Sequence, residues 1–258
     1  MGSKLHLIYV ITHKNIPLEI KKPHELFYVG GSDVGLGRLN EISGYSIASK
    51  NKQFCELTAH YWVWKNIIPT LHPNDYIGFC HYRRYFTFGN KISIDEIESF
   101  DPTDIICKIF NEGYNCILPT PLEFSQHTWI KNTIKYKRLF TPYTKYRLIE
   151  QYDDNHILDD LLVAVDLLPI EHRNKFEKYI KTNYTLSAYN MYIARVKDFN
   201  DYFKLLFAWL FEVENKIDIS SRDAYQSRLF GFLAERFSSY YFQTYMKPYF
   251  SDVTFYDL

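Results

Sequence analysis

Short apolar runs alternate with amphipathic stretches along this chain, and several of the runs end abruptly in polar clusters. Residues 5–11 are largely apolar and β-branched, and predict a buried strand that opens into Thr12, His13 and Lys14. Residues 26–29 predict a second strand, stopped by Gly30 and Gly31, and residues 33–49 read as an ordered loop rich in Gly and Ser. A helix is predicted over residues 51–68, where Phe54, Leu57, Thr58, Tyr61, Trp64 and Ile68 recur at helical spacing. Asn51 offers its N-cap and Pro69 its stop. Residues 75–80 predict another strand, which runs directly into His81, Tyr82, Arg83 and Arg84. Pro102 opens a helix that Gly113 closes, and residues 114–118 give a further core strand ended by Pro119 and Pro121. Residues 124–183 read as mostly helical and polar, and 189–194 as a strand. Two long helices, over 197–216 and 221–242, are expected to close the chain.

Strands that alternate with helices predict an α/β fold: a central, mainly parallel sheet flanked by helices, with a helical middle insertion and two long C-terminal helices. In such a sheet ligands bind at the carboxyl ends of the strands, which is where the clusters after Ile11, Cys80 and Leu118 would lie. No GxGxxG or GxxxxGK[ST] element is present, which disfavours a Rossmann dehydrogenase or a P-loop enzyme. The 258 residues suit one domain, with residues 1–123 as a nucleotide-binding half and 124–258 as a largely helical half facing the second substrate.

Composition sharpens this picture. Thirty basic residues balance thirty acidic ones without a long like-charged run, which argues against a nucleic-acid partner. The 23 Tyr and 20 Phe supply rings that suit sugars and bases, although codon bias in an A/T-rich genome would raise the same residues. Cys55, Cys80, Cys107 and Cys116 sit in apolar surroundings without C-x-x-C spacing, as expected of reduced thiols in a cytoplasmic protein. No apolar stretch reaches the ~20 residues that span a bilayer, so membrane contact, at the inner face of the plasma membrane, would be peripheral. The aromatic C-terminal residues Trp209, Phe211, Phe237, Tyr240 and Tyr241 suit either such contact or core packing, with core packing preferred.

Three strings carry a resemblance to a known family: residues 8–14, the ELTAHYWVWKN run that begins at Glu56, and the CHYRRYF run that begins at Cys80. With Gln151, Tyr152, His156, Asp160, the 189–192 segment and residues 228–236, they resemble a bacterial family long labelled only as a domain of unknown function. Its members occur in capsule, exopolysaccharide and O-antigen (lipopolysaccharide) loci and are treated as glycosyltransferases with a GT-A-like (Rossmann-like) fold. The resemblance covers nearly the whole chain. It implies transfer of a hexose, galactose or galactofuranose first, from a UDP-sugar to a lipid-linked or growing surface glycan. The competing reading is a non-catalytic nucleotide-sugar or glycan-binding module.

Most GT-A enzymes hold a divalent metal against the donor diphosphate with Asp-x-Asp at a strand end. Here the corresponding strand ends in His81, Tyr82, Arg83 and Arg84, so cationic side chains are expected to take over that role, with Lys50 or Lys14 assisting. No metal ligands and no cofactor beyond the donor are therefore required, with Mn2+ or Mg2+ as the alternative. Strand alternation would send Arg83 and Arg84 to opposite faces, one toward phosphate and the other toward a carboxylate such as Glu56. Thr12, His13 and Lys14 are expected near the nucleotide. Glu56 and His60, one helical turn apart, would share a polar face, while Trp62 either stacks on a sugar or belongs to the core. His156 and Asp160, read as i and i+4 on one helix, would orient phosphate or acceptor. Glu235 is the preferred general base, with Asp160 as the alternative, on a helix where Arg228 and Glu235 share a face and Gly231 leaves room for a ligand. Tyr82, Asn190 and Arg228 complete the expected sugar- and acceptor-binding set.

Overall fold

The structure is a computed structural model, and it describes residues 4–16, 18–31, 39–124 and 146–257. The predicted 32–38 and 125–145 portions of the loop and of the middle helical region lie outside the described residues. The strands β1 (Leu5–Thr12), β2 (His24–Tyr28), β3 (Tyr76–His81), β4 (Arg84–Phe86), β5 (Cys116–Pro119), β8 (Tyr192–Arg195), β9 (Pro248–Ser251) and β10 (Val253–Phe255) form one sheet. β1 lies between β2 and β3, parallel to both. β8 runs antiparallel to its neighbours β3 and β5, and β9 is parallel to β5. The fold is thus α/β, with a mixed central sheet flanked by helices. A separate two-stranded ribbon joins β6 (Leu122–Glu123) to β7 (Thr185–Leu186).

Helices cover both faces of the sheet. One face buries Tyr9, Ile11, Phe27, Ile77, Phe79 and Tyr192 against α1 (Asn51–Phe54), α2 (Leu57–Asn66) and the long α8 (Val196–Lys216) and α9 (Leu229–Tyr245). The opposite face buries Ile8, Val10, Cys80, Ile117 and Ile193 against α3 (Ile94–Ile97) and α4 (Thr103–Asn111). This is strand alternation at work, because neighbouring side chains of β1 and β3 feed opposite cores. Between β7 and the ribbon's first strand stand α5 (Leu148–Asn155), α6 (Leu158–Asp166) and α7 (Ile170–Thr182). Trp209, Phe237 and Tyr240 are buried, and Trp209 donates to the Ala164 carbonyl at 2.7 Å. These C-terminal rings therefore serve the core. Among the described residues no helix is long and apolar enough to cross a membrane.

Three local departures from the sequence reading matter for the site. The expected single helix over 51–68 is broken at Cys55, whose φ of 52° and ψ of −131° no α-helix accommodates. The last helix begins at Leu229 rather than 221, and the chain continues past it into β9 and β10. His156 and Asp160 do not share a helix, since His156 is the extended residue that ends α5 while Asp160 lies in the first turn of α6.

Candidate active site

The carboxyl ends of β1 and β3 open into a cleft of about 850 Å3. Such a volume lies in the range of a small-molecule site. Thr12 at the end of β1 and His13 just past it line it, together with His81 and the two-residue turn Tyr82–Arg83 that leads into β4 at Arg84. The tight β3–β4 hairpin pairs His81 with Arg84. It resolves the question of alternation: Arg83 occupies the turn, Arg84 the strand, and both face the same cleft. Among the described residues neither guanidinium meets a carboxylate. Arg83 packs over Tyr82 at 5.2 Å and Phe255 at 5.4 Å, and its Nε is buried without a partner. Arg84 lies over Tyr189 at 4.3 Å and Phe255 at 5.2 Å. Aromatic faces hold both cations without consuming their hydrogen-bond forks.

The far wall adds Lys52, Gln53, Arg222 and Arg228, of which only Arg228 was expected from sequence. Arg222 is held rigid by a bidentate pair with Asp160, Nη1 to Oδ2 at 2.5 Å and Nη2 to Oδ1 at 2.8 Å. Asp160 consequently anchors a cleft arginine instead of offering a free base. Arg228 donates from Nε to Cys55 Sγ at 3.2 Å, which leaves its terminal nitrogens toward the cleft lining. A rule applied within single elements could not find Arg222, because its partner Asp160 lies more than fifty residues away in sequence.

Beneath the cleft floor sits a polar hub. Tyr189 and Asn190 both adopt left-handed backbone, at φ of 78° and 49°, a conformation that costs a non-glycine residue about 1–2 kcal/mol. Four hydrogen bonds hold them there. Glu235 Oε1 accepts from the Tyr189 N–H at 2.8 Å, and His81 Nε2 donates to the Tyr189 carbonyl at 2.7 Å. Asn190 Nδ2 donates to Glu56 Oε1 at 2.6 Å and to the Gly231 carbonyl at 3.2 Å. The Asn190 amide therefore grips protein groups and orients Glu56, where a sugar-hydroxyl contact was expected. Among the described residues Glu56 is the one carboxylate that lines the cleft. The helix break at Cys55 places it there, at the N-terminus of α2.

Several sequence expectations shift on this geometry. His81 is neutral in its role: burial, ahead of other influences, lowers its pKa, and a carbonyl acceptor fixes the proton on Nε2. The cleft's positive charge is thus carried by its guanidiniums and Lys52. His13 lines the cleft with its ring against Tyr82 at 5.5 Å, and burial lowers its pKa as well. Thr12 spends its hydroxyl locally, donating to the Lys14 carbonyl at 2.7 Å. Lys14 itself is exposed and outside the cleft lining, and Lys50 pairs with Glu214. His60 is fully buried, with Nδ1 bonded to the Tyr192 hydroxyl at 2.7 Å, so it shares no cleft face with Glu56. His156 is stacked on Phe232 at 3.9 Å, and burial pushes its pKa down to about 3, which leaves a neutral packing ring. A Cβ at Gly231 would meet Cys55 Sγ at 3.6 Å, an ordinary contact, so this glycine faces the Cys55 turn and not the space where a ligand was expected.

Trp62 also leaves the candidate set. It is 7% exposed, packs on Phe27 at 5.3 Å and donates its indole N–H to the Ser43 carbonyl. Trp62→Ala is expected to cost about 3–5 kcal/mol in urea unfolding while nucleotide affinity, measured by calorimetry, stays within twofold. A selective loss of ligand binding at unchanged stability would return Trp62 to the site.

A sheet with helices on both faces, opening at its strand ends into an arginine-lined cleft, defines the class: an α/β protein with a basic cleft at the carboxyl ends of its strands. Over residues 7–246 the chain matches the family described as Domain of unknown function (DUF4422), and it belongs to that family. Among solved structures it resembles apo WbbM, described as a bifunctional glycosyltransferase, with a TM-score of 0.77 and 22% identity. The match covers 98% of this chain and 46% of that one, so this chain spans less than half the length of WbbM. No curated protein matches the sequence.

Proposed function

We propose that the protein is a glycosyltransferase that moves a hexose, galactose or galactofuranose first, from a UDP-sugar to a lipid-linked or growing surface polysaccharide in the bacterial cytoplasm. The observation that carries this reading is the cluster of Arg83, Arg84, Arg222 and Arg228 around one cleft at the ends of β1 and β3. A diphosphate is the ligand such forks suit best, since each guanidinium engages two oxygens in plane. The likeness of fold to a bifunctional glycosyltransferase supports the same reading.

The leaving diphosphate would be neutralised by Arg83, Arg84 and Arg228, with Arg222 fixed on Asp160. The nucleotide would lie toward Thr12 and His13. Glu56, held by Asn190, is the carboxylate placed to take the acceptor hydroxyl's proton, and Glu235 supports the Tyr189–Asn190 corner. Charge supplied by guanidiniums leaves no electrostatic need for Mn2+ or Mg2+.

A thermal-shift series with UDP, UDP-galactose, UDP-galactofuranose and UDP-glucose, each in EDTA and in manganese, tests the donor. A ligand present at a hundred times its Kd is expected to add about 2.7 kcal/mol of stability, equally in both buffers. Stabilisation confined to manganese would transfer the diphosphate's charge partner to a metal, and no response to any nucleotide sugar would reject the reading. Binding without UDP release across glycoside acceptors would identify a binding module.

A further inference from the structure

A second cleft, of about 330 Å3, lies on the other side of Arg84. Arg84 lines both cavities and forms the wall between them. Its guanidinium is sandwiched between Tyr189 and Phe255, two residues of the smaller cleft. The lining there differs in chemistry from the large cleft. Phe255 is 53% exposed, Leu122 is exposed, and Thr120 and Asp252 stand beside them, with Thr120 Oγ1 donating to Asp252 Oδ1 at 3.2 Å.

We propose that this smaller cleft is the acceptor subsite and takes an uncharged terminal sugar ring. Three observations converge on that ligand class. The volume, at the lower end of the range for small-molecule sites, suits one or two sugar rings, while the neighbouring cavity is more than twice as large. An exposed aromatic face beside a carboxylate and a hydroxyl matches a pyranose or furanose, which shows C–H groups on one side and hydroxyls around its rim. Arg84 and Asp252 offset one another in charge within the same lining, which favours an uncharged acceptor end over an anionic or a cationic one. Position completes the case. The donor sugar is attached directly to the diphosphate, so the acceptor hydroxyl must arrive beside the arginines that hold it, and Arg84 is the residue the two cavities share.

This assignment rests on the donor reading of the large cleft, and its test separates the two. Saturation-transfer NMR is run with octyl β-galactoside and octyl β-glucoside on the full chain, with and without UDP, and UDP binding is measured in parallel by calorimetry. Saturation of the sugar-ring protons of at least one glycoside is expected, undiminished by UDP. It should fall at least fivefold in Asp252→Ala, persist in Asp252→Asn, and leave the UDP Kd within threefold in both, since Asp252 lines the smaller cleft and not the larger. Ring saturation that UDP abolishes, that is absent for both glycosides, or that Asp252→Ala leaves unchanged would overturn the acceptor subsite while UDP binding keeps the donor cleft intact. Failure to bind UDP at all would strike the donor reading instead, and with it the basis of the subsite.

Discussion

Replacing Arg84 with alanine is expected to lower kcat/KM for the UDP-sugar by 10²–10³-fold, about 3–4 kcal/mol of transition-state stabilisation. The expectation follows from how this side chain is held. Its guanidinium rests on the faces of Tyr189 and Phe255 and, among the described residues, has no carboxylate to answer. Its positive charge is therefore available to the ligand, and the ring contacts have already restricted its rotamers. If the cleft holds the donor as proposed, diphosphate charge grows as the glycosidic bond breaks, so the contact strengthens toward the transition state and kcat should fall along with affinity. Arg84→Lys is expected to recover only part of the loss, because an ammonium supplies charge without the planar fork. UDP binding to the native protein should weaken as salt is raised, and the dependence should be shallower in Arg84→Ala. Arg222→Ala, measured beside it, also exposes Asp160 unpaired, so a loss of stability accompanies its loss of binding. Full turnover by Arg84→Ala would remove the arginine cluster from the chemistry.

The strands that build the cleft were legible in sequence because each is a compact apolar run. The 5–11 and 75–80 runs became β1 and β3 with ends shifted by one residue. The polar residues that follow them, His13 and the 81–84 cluster, were legible for the same reason. What periodicity could not reveal was the break at Cys55. An amphipathic pattern continues across it, and in the fold Cys55 lies against Gly231 of α9, a neighbour distant in sequence. That break decides the roles of two residues, bringing Glu56 to the cleft and sending His60 into the core. Partners distant in sequence were equally hidden. Asp160 reads as a helical neighbour of His156, yet its real partner is Arg222, and Asn190 reads as a sugar contact, yet its partner is Glu56. β9 and β10 were missed because they are short and follow a long helix, and they supply Asp252 and Phe255 to the second cleft.

The same hidden contacts divide the labour between Glu56 and Glu235, and a pair of isosteric substitutions should expose the division. Glu56→Gln keeps an oxygen for the Asn190 amide and removes the ability to accept a proton. It is expected to lower kcat by 10²–10⁴-fold, the usual worth of a general base, with UDP affinity little changed. Glu235→Gln should behave differently. The side chain is 22% exposed, and Oε1 is committed to the Tyr189 N–H. Burial first, and Glu56 also, raise the Glu235 pKa above the usual carboxylate value. A carboxyl raised in this way favours the protonated folded state. Its contribution to stability is complete below the unfolded-state pKa and is lost as pH climbs through the folded value. At neutral pH a glutamine keeps the Tyr189 bond and removes a buried charge, but it also takes the carboxylate from the buried Arg236 guanidinium 3.9 Å away, so the two effects oppose and the melting temperature should change little. Turnover should fall no more than about tenfold, since the Tyr189–Asn190 corner that holds Glu56 keeps its acceptor. A collapse of kcat in Glu235→Gln with full activity in Glu56→Gln would exchange the two assignments, because the proton would then be leaving through the carboxylate that grips Tyr189.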